Sequence, residues 1–495
     1  VISQYLLGID QGTSSSRAII FDAQGQRVAT AQHEIDQIFP NKGWVEQNPP
    51  DVWQTVLTSC QEVMAQQQLC AADIAAIGIS NQRETSVIWD KHTGQPIYNA
   101  IGWQDGRTAA LCQQMVAVGH GDMVQEKTGL LLNPYFCAAK VKWLLDNVDG
   151  AREKAAQGDL LFGTIDCFLL WRLTGGLQHK TDATNASRTL LFNIHTQQWD
   201  DELLALFDIP RQLLPDVLDN CADFGSTQAD LFGGEIAITA MVGDQQAALV
   251  GQACFLPGMM KSTYGTGAFI VGNTGDKAVP ANSQLLTTVA YRLQDKTTYA
   301  VEGSIFVAGA GVKWLRDELQ IIGHANETEA MAKAARQDSE LYFVPCFTGL
   351  GAPYWQPNAR AMLSGLTLES GRNEIVRALL EGCCYCTKDV MQAITAQSEL
   401  GLDALHVDGA MVANDWLLQF LADILNVQIK RPQIIETSAL GAAYFAGLQI
   451  GLFESLEHIA SLWQAQKTFT PTMQAEQRAK LYAGWNQAIA RALVP

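Results

Sequence analysis

Residues 6–26, LLGIDQGTSSSRAIIFDAQGQ, place an apolar run, a turn of glycine, threonine and serine, and a second apolar run in immediate succession. Phosphate cradles of the familiar kinds put a glycine-rich turn between a strand and a helix, whose N-terminal N–H groups hold the anion. This turn leads into another strand instead, so a β-hairpin is expected. YLLGI and RAIIFD are its arms, AQGQ is a second turn, and RVATAQHEI continues as a third strand with alternating apolar positions. The turn still carries the ingredients of an anion site in Asp10, Thr13, Ser14, Ser15 and Arg17. Glycine lets backbone approach phosphate, hydroxyls and N–H groups donate to its oxygens, and a carboxylate at a strand end can hold hydrated magnesium. An ordinary hairpin turn uses the same aspartate and glycine, and the motif alone leaves both readings open.

A second glycine-threonine turn lies near the middle, in MMKSTYGTGAFIVGNTGD from Met259 to Asp276, and repeats the design of the first. Two unrelated hairpins would look alike, but a duplicated hairpin opening each half would place two turns across one cleft. At 495 residues the chain exceeds a single core, and two large lobes are expected. Their boundary is drawn within GQACFLPG, where a helix-like AALVGQACF ends in Pro-Gly, giving lobes 1–252 and 253–495. An amphipathic helix is expected at about Pro50 to Gln67, followed by the strands IAAIGIS and SVIWD, so the first lobe mixes strands with crossover helices.

The formal net charge of −18 argues against a nucleic-acid or anionic-membrane partner, both of which need a basic surface. Any anionic substrate must then be met by local donors. Cys60, Cys70, Cys112, Cys137, Cys167, Cys221, Cys254 and Cys346 are scattered singly and read as buried free thiols. Cys383, Cys384 and Cys386 sit in a helix-periodic stretch with no second ligand pair at zinc spacing, which argues against a metal there. The apolar N-terminal run is broken by Asp10 and has no basic residue before Arg17, unlike a secretory signal. With no apolar run of membrane-spanning length, a cytoplasmic enzyme is expected.

Two further stretches point to chemistry. In ITAMVGDQQAALVGQ, Asp244 follows an apolar strand and precedes good helix formers. It fits a helix N-cap, and equally a general base at the mouth of a sheet. In IGISNQRETSVIWD, Arg83 and Glu84 stand at a strand end between apolar runs. Such a pair is usually a surface turn; between buried strands it can instead offer a donor fork and an acceptor to a polyhydroxylated ligand. Trp103 and Tyr135 supply the apolar and hydroxyl surfaces such a site needs, though spacing does not connect them.

Taken together, GIDQGTSSSRAI, GWVEQNP, IGISNQRET, NPYFCAAKVKWLLDN, TNASRTLLFNI, GDQQAAL, YGTGAF, GLGAPYW and ALGAAYFAG closely resemble the FGGY carbohydrate kinase family, in its glycerol-phosphorylating branch. The resemblance runs in order along nearly the whole chain. It implies an α/β fold of two ribonuclease H-like lobes of the actin-like ATPase superfamily, with ATP and Mg2+ in the cleft between them. It also implies phosphorylation of glycerol to sn-glycerol 3-phosphate, in glycerol uptake and catabolism, by a homodimer or homotetramer. Carried over position by position, it assigns glycerol to Arg83, Glu84, Tyr135, Asp244 and Gln245, with Trp103 and Phe269 as the apolar wall and Asp244 as the base. Thr13, Ser14, Ser15 and Arg17 are implied to contact the nucleotide phosphates, and Asp10 to serve magnesium. Thr266, Gly309, Lys313, Ala410 and Asn414 are implied on the nucleotide side.

The sequence departs from the family pattern in places. In VDGAMVAN, Ala410 replaces a second glycine and would be strained at positive φ, and Lys313 stands where glutamine is usual. DLFGGEIAI has no arginine or lysine, whereas members inhibited by fructose 1,6-bisphosphate carry a basic residue in the matching loop. Cys137 replaces a small hydroxyl residue and reads as packing. Two rivals remain. A kinase for a larger polyol or ketose would need room that Arg83, Glu84, Trp103 and Tyr135 occupy. An actin-like ATPase acting as chaperone or filament subunit would need a client-binding domain, and the chain ends at Leu493-Val494-Pro495 after the second lobe's helices.

Overall fold

The computed structural model describes residues 5–280, 282, 284–398 and 401–494. The opening hairpin forms as β1 (Tyr5–Gln11) and β2 (Ser15–Phe21), which pair antiparallel with Asp10 opposite Arg17. Gly12 N–H closes the turn on the Ser15 carbonyl at 2.8 Å. β3 (Arg27–Glu34) adds antiparallel to β2. The chain then crosses over through α1 (Pro49–Gln66), whose first two residues are prolines and whose apolar face carries Val52, Trp53, Val56 and Val63. β4 (Ile74–Asn81) and β5 (Ile238–Gly243) complete the sheet in the order β5-β4-β1-β2-β3, with β1, β4 and β5 parallel. Parallel strands covered on both faces read as continuous apolar runs, as IAAIGIS and ITAMVG do. The strand Ser86–Asp90 leaves this sheet for a separate four-stranded one.

After β5 comes α2 (Asp244–Gly251), capped by Gly243, so Asp244 is the first helical residue and not the N-cap. The helix stops at Gly251, short of the Pro-Gly at 257–258. The second sheet is built from β6 (Met260–Tyr264), β7 (Ala268–Gly275), β8 (Leu286–Leu293), β9 (Lys296–Ile305), β10 (Ala404–Asp408), β11 (Gln428–Pro432) and β12 (Ala465–Phe469). Its order is β8-β9-β7-β6-β10-β11-β12. The stretch β11-β10-β6-β7-β9 repeats β5-β4-β1-β2-β3 in order and in direction, with the hairpin antiparallel and its first strand parallel to the next two. The two glycine-threonine turns are therefore equivalent positions of two equivalent sheets.

Helices of the second half include α3 (Gly309–Asp317), α4 (Arg372–Ser398), α5 (Asp415–Leu425) and α6 (Thr437–Gln449). α6 follows β11 as α2 follows β5, and it packs against α2 and against β1, β4 and β5. The crossing of α2 and α6 is close enough that a Cβ on Gly441 would overlap the Ala247 carbonyl oxygen, and one on Gly251 would overlap that of Thr437. Each sheet has its own core; a further core joins the halves, with Leu6, Phe21, Val250, Val271, Ala439 and Phe445 among its members. All eleven cysteines are free; nine are buried, but Cys70 is exposed in the link between α1 and β4, and Cys221, bridged to Ala240, is half-buried. No helix among the described residues is long and apolar enough to cross a membrane.

Candidate active site

Arg83 and Glu84 follow β4 directly, and far from forming a surface turn their side chains are 2% exposed. Glu84 takes a left-handed φ of +63°, which turns the chain from β4 toward the four-stranded sheet. Its carbonyl accepts from Cys137 Sγ at 3.3 Å and from Lys140 Nζ at 3.1 Å, so Cys137 packs as expected and also hydrogen-bonds. Arg83 Nη1 and Nη2 meet the two oxygens of Glu302 at 2.6 and 2.8 Å, a fork-to-fork pair, while Nη1 also reaches Gln246 Oε1 at 3.2 Å. Arg83 Nε lies 3.4 Å from Asp244 Oδ1 and 3.7 Å from Glu84 Oε1. Arg188 completes the network, donating from Nε to Glu84 Oε1 at 2.6 Å and from Nη2 to Glu302 Oε1 at 3.0 Å.

Aromatic rings close one side. Trp103 packs edge-on against Tyr135 with centroids 5.7 Å apart and against Phe269 at 6.0 Å. Phe269 comes from β7, so this wall uses both halves of the chain. Trp103 Nε1 donates to Thr13 Oγ1 at 2.8 Å, tying the wall to the first hairpin turn. Gln245 is buried beside Asp244, and its Oε1 accepts from Lys261 Nζ at 2.5 Å. That fixes the amide so that its NH2 end is the one left for another partner.

The charges divide sharply in this cluster. Burial pushes the Asp244 carboxyl up to about 6; Arg83 opposes the rise, and the neighbouring Glu84 and Asp10 add to it. Glu302 moves the other way. Burial would raise it, but the guanidiniums of Arg188 and Arg83 outweigh burial and hold it at about 2. Burial lowers the Lys261 ammonium to about 8 against the pull of Asp408. Asp10 is raised by burial, with Arg17 acting against the rise and Glu436 with it. Such opposed carboxyls in one cleft are the usual mark of acid-base chemistry.

On the other side of the cleft, the second turn meets two neighbours. Gly265 N–H bonds to the Gly267 carbonyl at 2.9 Å, and Ala308 and Ala310 N–H groups donate to the Thr266 carbonyl at 2.9 and 3.0 Å. Gly309 opens α3 and lies 2.9 Å from the Gly265 carbonyl through its own N–H, with Met411 next to it. The turn at 409–413 therefore joins the hairpin tip and the start of α3. Its left-handed residue is Gly409, at φ +93°, whereas Ala410 begins a 3-10 turn, so the strain feared for alanine does not arise. Asn414 caps α5 through Leu417 N–H at 2.9 Å and Lys313 is exposed on α3. Thr13, Ser14 and Ser15 form the first turn, Ser14 at the exposed tip, and Arg17 donates from Nε to Gln32 Oε1 at 3.0 Å.

Glu302, Arg188, Lys261 and Gln246 share this cluster, yet the sequence does not single them out. A local signal exists for two of them: Glu302 interrupts the apolar strand YAVEGSI and Lys261 the strand MKSTY, both charged residues at buried strand positions. For Arg188 and Gln246 the signal is their place inside the motifs TNASRTLLFNI and GDQQAAL, because a lone polar residue in or beside a helix is otherwise ordinary.

Comparison with known proteins bears on the family and the fold. Residues 5–251 match the N-terminal domain of the FGGY family of carbohydrate kinases, and residues 260–450 match its C-terminal domain. The chain is 57% identical over 490 residues to a glycerol kinase of Ectopseudomonas mendocina, covering 99% of each chain. It is 56% identical over 495 residues to a glycerol kinase of Coxiella burnetii, covering 100% of this chain and 99% of that one. The crystal structure of Plasmodium falciparum glycerol kinase with ADP superposes with a TM-score of 0.91 at 36% identity, covering 100% of this chain and 99% of the other. The paired sheets thus have the actin-like ATPase architecture, and the chain belongs to the FGGY family of carbohydrate kinases.

Proposed function

We propose that this enzyme transfers the γ-phosphoryl group of ATP to glycerol, giving sn-glycerol 3-phosphate and ADP, with Asp244 as general base. The observation that carries the reading is the junction at Asp244: a carboxylate raised to about 6 lies 3.4 Å from buried Arg83, in a network that Arg188 joins to the aromatic wall at the Tyr135 ring, 5.7 Å away. Full-length glycerol kinase relatives at 57% and 56% identity support it. Arg83, Glu84, Tyr135, Asp244 and Gln245 bind the three hydroxyls, and Trp103 and Phe269 cover the carbons and exclude water, which limits wasteful ATP hydrolysis.

At pH 7 Asp244 is mostly ionised and can accept the proton of the attacking hydroxyl as its oxygen bonds to phosphorus and the bond to the ADP oxygen breaks. Thr13, Ser14, Ser15 and Arg17 meet the phosphates from the first turn; Thr266, Gly309, Lys313, Ala410 and Asn414 line the nucleotide side on the second. Magnesium fits at Asp10: its carboxyl is desolvated by burial and forms no ion pair among the described residues. No group of three or more histidines, cysteines or carboxylates among those residues is placed to hold a metal ion, so the ion would rely on phosphate oxygens and water for most of its shell. When bound there it supplies neutralisation of phosphate charge. We place the lobe boundary at 252/253, between the two sheets.

A coupled assay of ADP release tests the reading. Turnover that depends on glycerol supports it, turnover preferring a ketose or larger polyol selects another kinase of the family, and equal turnover with and without polyol leaves a simple ATPase.

A further inference from the structure

Glu302 belongs to β9 of the second sheet, and its carboxylate meets two arginines of the first half of the chain, with Ser304 Oγ of its own strand donating to Oε1 at 3.3 Å. One oxygen accepts from Arg83 Nη1 at 2.6 Å; the other accepts from Arg83 Nη2 at 2.8 Å and from Arg188 Nη2 at 3.0 Å. The side chains of Glu302, Arg83 and Arg188 are 0%, 2% and 0% exposed. Two adjacent guanidiniums, one of them over the rings of Tyr135 and Phe136, are what a carboxylate or phosphate ligand would seek, because the planar fork matches two oxygens at once. Here that fork is already filled from the opposite lobe. Arg83 is left with Nε, which faces Asp244 and Glu84, and Arg188 Nε is taken by Glu84. In this cluster the cations Arg83, Arg188 and Lys261 face the anions Glu84, Asp244 and Glu302, with Asp10 and Asp408 acting from beyond and Lys140 Nζ on the Glu84 carbonyl.

We propose that Glu302 is a specificity-determining positioning residue: by occupying the Arg83 fork and one Arg188 Nη it leaves a site that takes an uncharged polyol and refuses an acid of the same size, such as glycerate. The proposal rests on the reading that Arg83, Glu84 and Asp244 face the substrate. A carboxylate brought in here would add a buried charge with no open guanidinium fork to meet it, since both Arg83 Nη groups are taken and of Arg188 only Nη1 lacks a partner; desolvation makes that costly. Replacing Glu302 by glutamine keeps the shape, removes one negative charge and leaves one arginine N–H facing an amide NH2, free to turn to an acid instead. The simpler alternative is a clasp that only holds the lobes together; its loss would weaken every ligand alike.

The test compares the full-length protein with Glu302→Gln and Glu302→Asp. Glycerol KM and kcat, competitive inhibition by glycerate, and calorimetric binding of glycerol and of glycerate are measured for each. In the unaltered enzyme, glycerate fails to compete at concentrations about a hundredfold above the glycerol KM. In Glu302→Gln, glycerol KM rises and glycerate inhibition tightens, each by about tenfold or more, the size expected when one charged hydrogen-bond partner is exchanged. Glu302→Asp keeps the refusal of glycerate. An unchanged ratio of glycerol to glycerate affinity in folded Glu302→Gln overturns the proposal. So does glycerate competing with glycerol in the unaltered enzyme at similar concentrations, a result that needs no variant to fold. Absence of glycerol turnover in the unaltered enzyme would sink the kinase reading instead, and the calorimetric appearance of a glycerate site in Glu302→Gln would still decide the role of Glu302.

Discussion

Asp244→Asn separates the base from everything else at its position. Asparagine has the same shape, and its oxygen can still accept the Gln245 N–H that reaches Asp244 Oδ1 at 2.7 Å. Neither the helix start nor the Arg83 contact at 3.4 Å needs to move. What disappears is the proton acceptor. A positioned general base contributes about 10²–10⁴-fold, so kcat should fall by that factor, equivalent to roughly 3–5 kcal/mol of barrier, while nucleotide binding persists. The unaltered enzyme should lose kcat as pH falls through about 6, where the buried carboxyl takes up its proton, and that limb should vanish in the variant. The same burial predicts a gain in stability. A carboxyl whose folded pKa of about 6 exceeds the ordinary 3.8 holds its proton better when folded. Its burial penalty is therefore absent below pH 3.8, grows between 3.8 and about 6, and is complete above. Removing the charge should relieve up to about 3 kcal/mol at pH 7 and raise Tm by several degrees. Steady-state kinetics across pH 5–9 and thermal unfolding at pH 5 and 7.5 read both effects. Near-normal kcat in a variant with an unchanged circular dichroism spectrum would refute the base role. A wild-type acid limb near pH 4 would refute the burial argument.

Asp10→Asn should fail differently, keeping glycerol affinity but raising the magnesium concentration needed for half-maximal turnover by about tenfold or more; a titration of rate against Mg2+ reads this, and an unchanged midpoint rules it out. Gly441→Ala would drive a methyl into the Ala247 carbonyl where α2 and α6 cross, costing about 3 kcal/mol or more because backbone cannot yield as a side chain does. A Tm within a degree of the parent would contradict that. The exposed segment from Asp230 to Glu235 carries acidic and no basic side chains, so fructose 1,6-bisphosphate should leave the rate unchanged in a titration; strong inhibition would show that the ligand is held elsewhere.

The parts of this protein legible in its sequence are those decided by neighbours along the chain. β1 and β2 were readable because apolar runs flank a turn of glycine and hydroxyl residues, and α1 because its apolar residues recur at helical spacing behind two prolines. The close likeness of the two hairpins also lay in the sequence, but two similar turns could have belonged to unrelated sheets. Only the strand order, shared over five strands by both sheets, made them counterparts. Arg83 and Glu84 were visible as a charged pair, whereas their burial depended on the second sheet arriving to cover them. Glu302 stands 219 residues from Arg83, and Arg188 104 residues from Glu84. No local pattern joins groups so far apart; they meet because two twisted sheets pack through α2 and α6 at glycines that allow the helix backbones to touch. The raised carboxyl of Asp244 has the same origin. Its place before a helix is written in the sequence, while its proton affinity follows from the desolvation that the folded cleft imposes.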